Sequence, residues 1–189
     1  VTRSLQAARL VVPPTQTMMN AVVDHYGPLR RREVILNGRD SSGFRALPKQ
    51  PYILSAGRLW DEAKNLSALI AVADDLPWPV FVAGETRPPG GDDPSAQGEP
   101  RKLEGVHALG ALPPAELAAR FSTAAIYASP AKYEPFGLTA LEAPISGCAL
   151  VLGDIPSLRE VWGECALFVP PYDREALRDT LMSVISDPE

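Results

Sequence analysis

One stretch of the sequence combines a short apolar segment, a polar loop and a helical pattern. It reads Ala125-Ile126-Tyr127-Ala128, followed by Tyr133-Glu134-Pro135-Phe136-Gly137-Leu138-Thr139-Ala140-Leu141-Glu142-Ala143. The apolar segment is typical of a strand that is buried on both faces of a sheet. Pro135 cannot donate to a helical ladder and favours extended geometry at Glu134, so Glu134 should lie in a loop. Gly137 then precedes a helix. The stretch therefore predicts one strand–loop–helix unit of a parallel sheet.

The same alternation continues in both directions along the chain. Short apolar or β-branched runs predict strands at 33–36, 52–56, 80–83, 106–109, 125–128, 149–152 and 166–169. Helical periods predict helices from Thr15, as N-cap, to Tyr26, and at 65–74, 114–122, 138–146, 157–162 and 174–185. We therefore expect an α/β, Rossmann-like, three-layer domain with a parallel sheet of about six strands flanked by helices.

Composition limits the classes of function. The 189 residues carry a net charge of −5, which argues against a nucleic-acid partner. The chain has two cysteines, Cys148 and Cys165, and two histidines, His25 and His107, without disulfide or metal-ligand spacing, so a structural zinc site is not expected. No apolar run is long enough to be a transmembrane segment and the amino end lacks signal-peptide order, so the expected location is cytoplasmic.

The domain organisation is expected to be simple. Both ends look cut, because residues 10–14 read like a strand already under way and the chain ends directly after a helix. We therefore predict that 1–189 is a single domain and a fragment of a longer protein. Residues 87–100 are rich in Pro, Gly and Asp without apolar periodicity, which predicts a mobile surface loop.

A first group of candidate site residues follows the strand 52–56. It is the segment Gly57-Arg58-Leu59-Trp60-Asp61-Glu62-Ala63-Lys64-Asn65. Ligands gather at the carboxyl ends of strands in parallel sheets, where Arg58 can contact phosphate oxygens with two donors and Lys64 can add a point charge. The alternative is that Arg58 and Lys64 only pair with Asp61 and Glu62 on a solvated turn.

A second group lies in the opening stretch. Glu134 and Glu142 are carboxylates that can each accept hydrogen bonds from the hydroxyls of a polyhydroxylic ligand. Gly137 lets the backbone approach a ligand, and the amides at the helix start can face an anion. The alternative for Glu142 is an acid favoured by the helix macrodipole. Further on, Ser157 and Glu160 have the spacing of a capping box, which predicts a structural role with a minor part in shaping the pocket.

These motifs, in this order, resemble the carboxyl-terminal domain of the family 4, or group 1, retaining glycosyltransferases. That family carries Gly-Arg-Leu, five residues between Arg and Lys-Asn, and two Glu residues with seven between them. The chain matches with Gly57-Arg58-Leu59, Lys64-Asn65, Glu134-Pro135-Phe136-Gly137-Leu138, Glu142 and the turn Gly147-Cys148-Ala149. The likeness runs from about Val11 to the end of the chain, and it implies one half of a two-domain GT-B fold.

The resemblance implies a role for each matched residue. Arg58 and Lys64 would bind the donor diphosphate, Glu134 the sugar hydroxyls near the reacting carbon, and Glu142 the ribose. Gly137 and Leu138 would donate backbone N–H groups to phosphate. The implied catalytic residues are Glu134, Arg58 and Lys64. The implied donor-binding residues are Gly57, Arg58, Lys64, Glu134, Phe136, Gly137, Leu138 and Glu142.

The function implied by the resemblance is transfer of a sugar from a nucleotide-sugar donor to an acceptor with retention of anomeric configuration. No metal or other cofactor is implied, because Arg58 and Lys64 can stabilise the leaving diphosphate. The acceptor would be bound by an amino-terminal domain, so this domain alone should be inactive, and the full-length enzyme could lie at the membrane periphery. The alternatives are a non-catalytic nucleotide-sugar-binding module and a sugar-nucleotide epimerase of the same fold.

Overall fold

The computed structural model describes residues 1–86 and 104–187. Its sheet has six strands: β1 (Gln50–Ala56), β2 (Val80–Ala83), β3 (His107–Gly110), β4 (Ala124–Ser129), β5 (Ala149–Gly153) and β6 (Leu167–Val169). All neighbouring strands pair in parallel, in the order β3-β2-β1-β4-β5-β6. The predicted parallel sheet is therefore confirmed. The predicted loop at 87–100 lies outside the described residues.

The helices lie where the apolar periodicity places them. They are α1 (Thr2–Ala7), α2 (Gln16–Tyr26), α3 (Leu66–Ala73), α4 (Pro114–Thr123), α5 (Leu138–Ile145), α6 (Pro156–Trp162) and α7 (Arg174–Ser186), with 3₁₀ turns at Ser41–Gly43 and Glu62–Lys64. Each predicted helix matches one of these to within a residue at either end. The sequence did not predict α1, which contains no buried residue.

One predicted strand, 33–36, is wrong. The segment forms no part of the six-stranded sheet and instead lies beside the extended residues that precede α2. Val11 and Arg32 make an isolated parallel bridge, and the Ile35 amide donates to the Pro13 carbonyl at 3.2 Å. Ile35 stays 53% exposed, since only this short partner lies against it. Apolar β-branched residues predicted extended backbone correctly, but they could not specify which strand it would join.

The core consists of two layers of side chains, one on each face of the sheet. Successive strand residues point to opposite faces, so Ile53 and Leu54 of β1 enter different layers. One layer packs against α3 and α7 through Leu69 and Leu177. The other packs against α4, α5 and α6 through residues that include Phe121. The predicted three-layer arrangement is confirmed, and both faces of the parallel sheet are covered.

The strand order places a crevice at one edge of the sheet. From β1 the chain steps outward to β2 and β3, and it then returns to add β4, β5 and β6 on the other side of β1. The loops that leave β1 and β4 therefore diverge to opposite faces at neighbouring strand ends. In open α/β sheets this reversal of strand order is where ligands bind.

Candidate functional site

Two adjoining cavities lie at the carboxyl ends of the strands. The β1–β4 cavity, of about 400 Å³, is lined by Pro14, Asn37, Ala56, Gly57, Arg58, Lys64, Glu134, Pro135, Phe136, Gly137, Leu138 and Thr139. The β1–β2 cavity, of about 360 Å³, is lined by Ala56, Gly57, Arg58, Ala83, Gly84, Glu85, Ala111, Leu112, Leu117 and Thr139. Because four residues line both cavities, the two form one continuous crevice.

Lys64 and Glu134 form an ion pair inside the β1–β4 cavity. The Lys64 ammonium donates to Glu134 Oε2, and the two side chains are 23% and 16% exposed. The second carboxylate oxygen, Oε1, accepts the Gly137 amide at 3.0 Å and the Phe136 amide at 3.3 Å. The fold therefore brings together, around one carboxylate, a cation from the β1 loop and amides at the start of α5.

Arg58 has a different environment. Its guanidinium donates to Asp61 Oδ2 at 2.7 Å and lies 5.5 Å from the centre of the Trp60 ring. The side chain is 59% exposed and lines both cavities. The Arg58 guanidinium contributes, after the Ala63 amide, to holding the pKa of the Asp61 carboxyl below its usual value. The solvated-turn alternative thus describes the present partner of Arg58, whereas Lys64 pairs across the cavity.

Asn65 fixes the loop that carries Lys64. It adopts a left-handed backbone conformation, with φ of 55°, between the 3₁₀ turn and α3. Its side-chain amide donates to the carbonyls of Pro130 at 2.8 Å and Pro171 at 2.7 Å. The Ala63 carbonyl also accepts the Lys132 amide at 2.8 Å. The loops after β1 and β4 are therefore held together, and this places Lys64 opposite Glu134. The one sequence feature that could have indicated the role of Asn65 is the tolerance of Asn for left-handed backbone.

The backbone around Glu134 is held from a second direction. The Ser157 hydroxyl donates to the Glu134 carbonyl, and the Thr15 hydroxyl donates to the Pro135 carbonyl at 3.1 Å. Thr15 also accepts the Met18 amide, which confirms it as the N-cap of α2. The segment before α2 and the start of α6 thus both support this loop.

The predicted capping box of Ser157 and Glu160 is wrong. The N-cap of α6 is Ile155, and Ser157 lies already inside the helix. Glu160 instead accepts the Gln16 amide at 2.6 Å and the Thr17 amide at 2.8 Å, so it caps α2. Pro156 at the first helical position moves the helix start ahead of Ser157, because proline is favoured there.

Glu142 lies apart from the crevice. It is 7% exposed and is not among the residues that line either cavity. Arg39 Nε lies 2.8 Å from its Oε1 atom. Burial raises the pKa of Glu142, and the positive charge of Arg39 counteracts part of that rise. No sequence motif predicted this pair, and the role of Glu142 toward a ribose stays a prediction.

Tyr127 lies behind the two cavities. Its fully buried hydroxyl is 2.7 Å from Thr139 Oγ1 and 3.3 Å from the Ala56 carbonyl. Burial raises its pKa to about 12, so the hydroxyl remains protonated at neutral pH. Ala56 and Thr139 line both cavities, and Tyr127 therefore joins β1 to α5 at the wall that the cavities share.

A glycine contact sets the floor of the crevice. A Cβ atom on Gly84, whose φ is +146°, would lie 1.7 Å from the Gly57 carbonyl oxygen. Only glycine allows the loops after β1 and β2 to touch there, because any side chain would collide with backbone. Gly57, predicted as a donor-binding residue, is held at the boundary between the two cavities by this contact.

Two further features concern the residues that the structure describes. Within 1–86 and 104–187, no three His, Cys, Asp or Glu side chains are grouped so that they could hold a metal ion. No helix in these same ranges combines the length and apolar character needed to cross a membrane.

The fold recurs in proteins of known structure. Sucrose-phosphate synthase from Thermosynechococcus elongatus superposes with a TM-score of 0.81 at 24% identity, over 99% of this chain and 51% of that protein. Anabaena HepE, solved in complex with UDP and glucose, superposes with a TM-score of 0.82 at 18% identity, over 98% of this chain and 55% of HepE.

Sequence comparison identifies the family. The chain is 30% identical over 185 residues to a glycogen synthase of Mycobacterium tuberculosis, covering 91% of this chain and 44% of that protein. It is 32% identical over 140 residues to the O-antigen chain mannosyltransferase B of Escherichia coli, covering 74% of this chain and 29% of that protein. The chain thus spans less than half the length of these relatives. The family described as glycosyl transferases group 1 matches residues 39–189, and the chain belongs to that family.

Proposed function

We propose that this chain is the donor-binding, carboxyl-terminal half of a retaining glycosyltransferase that transfers a sugar from a nucleotide-sugar donor to an acceptor. The observation that carries the proposal is the convergence of Arg58, Lys64, Glu134 and the Gly137 amide on one cavity of about 400 Å³ at the reversal of the sheet. HepE, which shares the fold, was solved with UDP-glucose, and this agrees with a nucleotide-sugar ligand.

The β1–β4 cavity suits the diphosphate and the sugar. Cleaving the bond between sugar and phosphate builds negative charge on the leaving diphosphate. Fixed cations and oriented amides stabilise that charge. Arg58 and Lys64 supply the cations, and Leu138 and Gly137 supply amides, so the proposed reaction needs no metal ion or other cofactor. Glu134 would accept hydrogen bonds from sugar hydroxyls and support positive charge at the reacting carbon.

The β1–β2 cavity suits the nucleoside. Its lining is largely small and apolar at Ala83, Ala111, Leu112 and Leu117. Such a lining accepts a flat base, while backbone groups can supply the hydrogen bonds. The base would therefore lie beyond Gly57 from the diphosphate. The acceptor would approach the open side of the crevice on a second domain.

Binding of nucleotides to the 189-residue chain tests the donor site. UDP, GDP and ADP are titrated into ¹⁵N-labelled protein, and we expect at least one to shift the amides of Gly57 and Gly137. Arg58→Ala and Lys64→Ala should each weaken that binding by about tenfold or more, since each removes a charged hydrogen-bond donor. Arg178→Ala is the matched control, because Arg178 pairs with Asp179 on α7 and lines neither cavity. Absence of binding, or equal binding by all variants, would show that the donor site is assigned wrongly.

Turnover separates the proposal from its alternatives. The chain alone should bind a nucleotide sugar but leave it unchanged in ¹H and ³¹P NMR spectra. Accumulation of an epimeric nucleotide sugar would favour the epimerase alternative. With the acceptor-binding domain present on the same polypeptide, the transferred sugar should keep its anomeric configuration, which the coupling constant of the anomeric proton reports. An inverted product, or no transfer with that domain present, would contradict the proposal.

A further inference from the structure

The Glu134 carboxylate is bound as an anion would be bound in this cavity. One oxygen accepts the Lys64 ammonium, and the other accepts the amides of Gly137 and Phe136 just ahead of α5. A cation together with amides at a helix start forms an anion-binding arrangement. The site therefore already holds one anion, and that anion belongs to the protein.

Lys64 and the Gly137 amide are also groups that the proposed function assigns to the donor diphosphate. A phosphate oxygen and the Glu134 carboxylate cannot both occupy the same positions on Lys64 and Gly137. The amides of Leu138 and Thr139 have no acceptor among the described residues, and they lie directly beyond the Gly137 amide. A phosphate that enters the cavity can therefore accept hydrogen bonds from the Leu138 and Thr139 amides directly. At Lys64 and the Gly137 amide it competes with the Glu134 carboxylate.

We propose that Glu134 is an internal stand-in for a donor phosphate, and that it makes the site discriminate between a nucleotide sugar and the sugar-free nucleoside diphosphate. This inference rests on the proposed donor site. Either ligand must displace the carboxylate from the Gly137 amide, which has a single N–H, and must share the Lys64 ammonium with it or displace it there as well. Only the nucleotide sugar offers hydroxyl groups to the displaced carboxylate, so only that ligand recovers the lost interactions.

The contacts of the loop allow the side chain to move without the backbone. The Glu134 carbonyl is held by Ser157, the Pro135 carbonyl by Thr15, and the Tyr133 amide by the Ala63 carbonyl at 3.3 Å. Rotation of the side chain alone therefore releases Lys64. The displaced carboxylate stays at the cavity wall, next to the place where the sugar on the second phosphate would lie.

Dissociation constants of the 189-residue chain, measured by calorimetry, test the proposal. The probes are UDP and UDP-glucose, or the GDP or ADP pair if the titration above selects that base. In Glu134→Gln the charge that competes with phosphate is gone, and we expect the nucleoside diphosphate to bind about tenfold more tightly. The nucleotide sugar should bind no more tightly than before, so the preference for the sugar-bearing ligand should fall by about tenfold.

Glu62→Gln is the matched control. Glu62 is an exposed acid two residues from Lys64, and it lines neither cavity. It reports how far removal of any nearby negative charge tightens anion binding, and its effect should be under about twofold because water screens exposed charges. Inorganic pyrophosphate is a further probe, and its binding should also tighten in Glu134→Gln only.

Each outcome has a distinct meaning. If the native chain binds neither ligand, the proposed donor site fails and this inference fails with it. If the native chain binds both but Glu134→Gln binds the diphosphate equally or less tightly, only the inference is overturned. Equal tightening in Glu134→Gln and Glu62→Gln would also overturn it, because general charge removal would then explain the effect. A circular dichroism melt of each variant verifies that the fold is retained.

Discussion

At the scale of single residues, the buried carboxylate of Glu142 is the clearest case in which the fold adds what a motif lacks. The motif predicts an acid that contacts a ribose. In the structure, Arg39 Nε lies 2.8 Å from Glu142 Oε1 and forms an ion pair with it. The Arg39 guanidinium carbon also lies 5.4 Å from the centre of the Phe44 ring, a cation–π contact that helps to hold Arg39 in place. A ribose would therefore reach Glu142 only if Arg39 shares or leaves the carboxylate.

Replacing Arg39 with Met should raise the pKa of Glu142 further. Burial already raises this pKa, and the variant removes the positive charge of Arg39, which opposes that rise. Since the folded state then binds a proton more readily than the unfolded state, the contribution of Glu142 to stability should be fully present below the ordinary pKa of a glutamate and be lost as pH rises through the raised pKa. The loss at neutral pH should be about 1 kcal/mol, because Arg39 is 41% exposed and water screens the pair.

Carboxyl ¹³C NMR titration and urea denaturation at several pH values measure the effect of this substitution. Arg45→Met is the matched control. Arg39 and Arg45 both line a surface groove between the segment 39–47 and α4, but Arg45 forms no ion pair with Glu142. An unchanged Glu142 titration in Arg39→Met would show that Arg39 does not interact with the carboxylate in solution.

At the scale of elements, the start of α2 depends on an acid from another helix. Glu160 of α6 accepts the amides of Gln16 and Thr17, and the Thr17 hydroxyl also donates to it at 2.7 Å. Burial disfavours the charge of Glu160, but these hydrogen bonds outweigh burial and hold its pKa below the usual value. Because Thr15 also bonds Pro135, α2 is linked through its first turn to the β1–β4 cavity.

Protonation of Glu160 should loosen α2. A lowered folded-state pKa contributes stability above the ordinary pKa of a glutamate, and that contribution is lost as pH falls through the lowered value. Glu160→Gln should therefore speed hydrogen exchange of the α2 amides at neutral pH and remove the acid-dependent part of the loosening. Glu164→Gln, an exposed acid beyond the end of α6, should leave α2 exchange unchanged. Equal α2 protection in all three proteins would contradict a capping role for Glu160.

At the scale of the whole molecule, Asn65 connects segments from both sides of the strand reversal. Its side chain reaches Pro130, after β4, and Pro171, after β6, from a position that begins α3. It is 4% exposed, so the two carbonyls would lose a partner that water cannot easily replace. This one amide therefore holds three loops at the edge of the sheet where the crevice lies.

Asn65→Ala should destabilise the whole domain by about 2–4 kcal/mol. It leaves the Pro130 and Pro171 carbonyls without a donor and keeps a β-carbon on left-handed backbone. Asn65→Gly loses the same hydrogen bonds but relieves the backbone strain, so it should be about 1 kcal/mol more stable than the alanine variant. Urea denaturation followed by circular dichroism measures both. Ser67→Ala, an exposed position on α3, is the control. If the free energy of unfolding falls no more in Asn65→Ala than in Ser67→Ala, the role assigned to Asn65 is contradicted.

Most of the helices and strands follow from the sequence alone, and so do the positions of the candidate site segments after β1 and β4. Periods of two and 3.6 residues act through neighbouring side chains, so the strand at Val80–Ala83 and the helix from Leu138 were predictable from a few residues each. The positions of Arg58, Lys64 and Glu134 after strands likewise predicted that they meet at one edge of the sheet, and all three line one cavity.

Which side chains pair depends on the tertiary structure. Lys64 contacts Glu134 across 70 positions of sequence, and Glu160 caps a helix 144 positions away. The predicted strand at 33–36 was wrong because its partner was not specified locally, whereas the predicted capping box failed because Pro156 begins α6 ahead of Ser157. Local backbone preferences extend over about one turn or one strand, whereas long-range partners depend on strand order and on how loops pack. The order β3-β2-β1-β4-β5-β6 brings the loops after β1 and β4 together, and that contact creates the crevice.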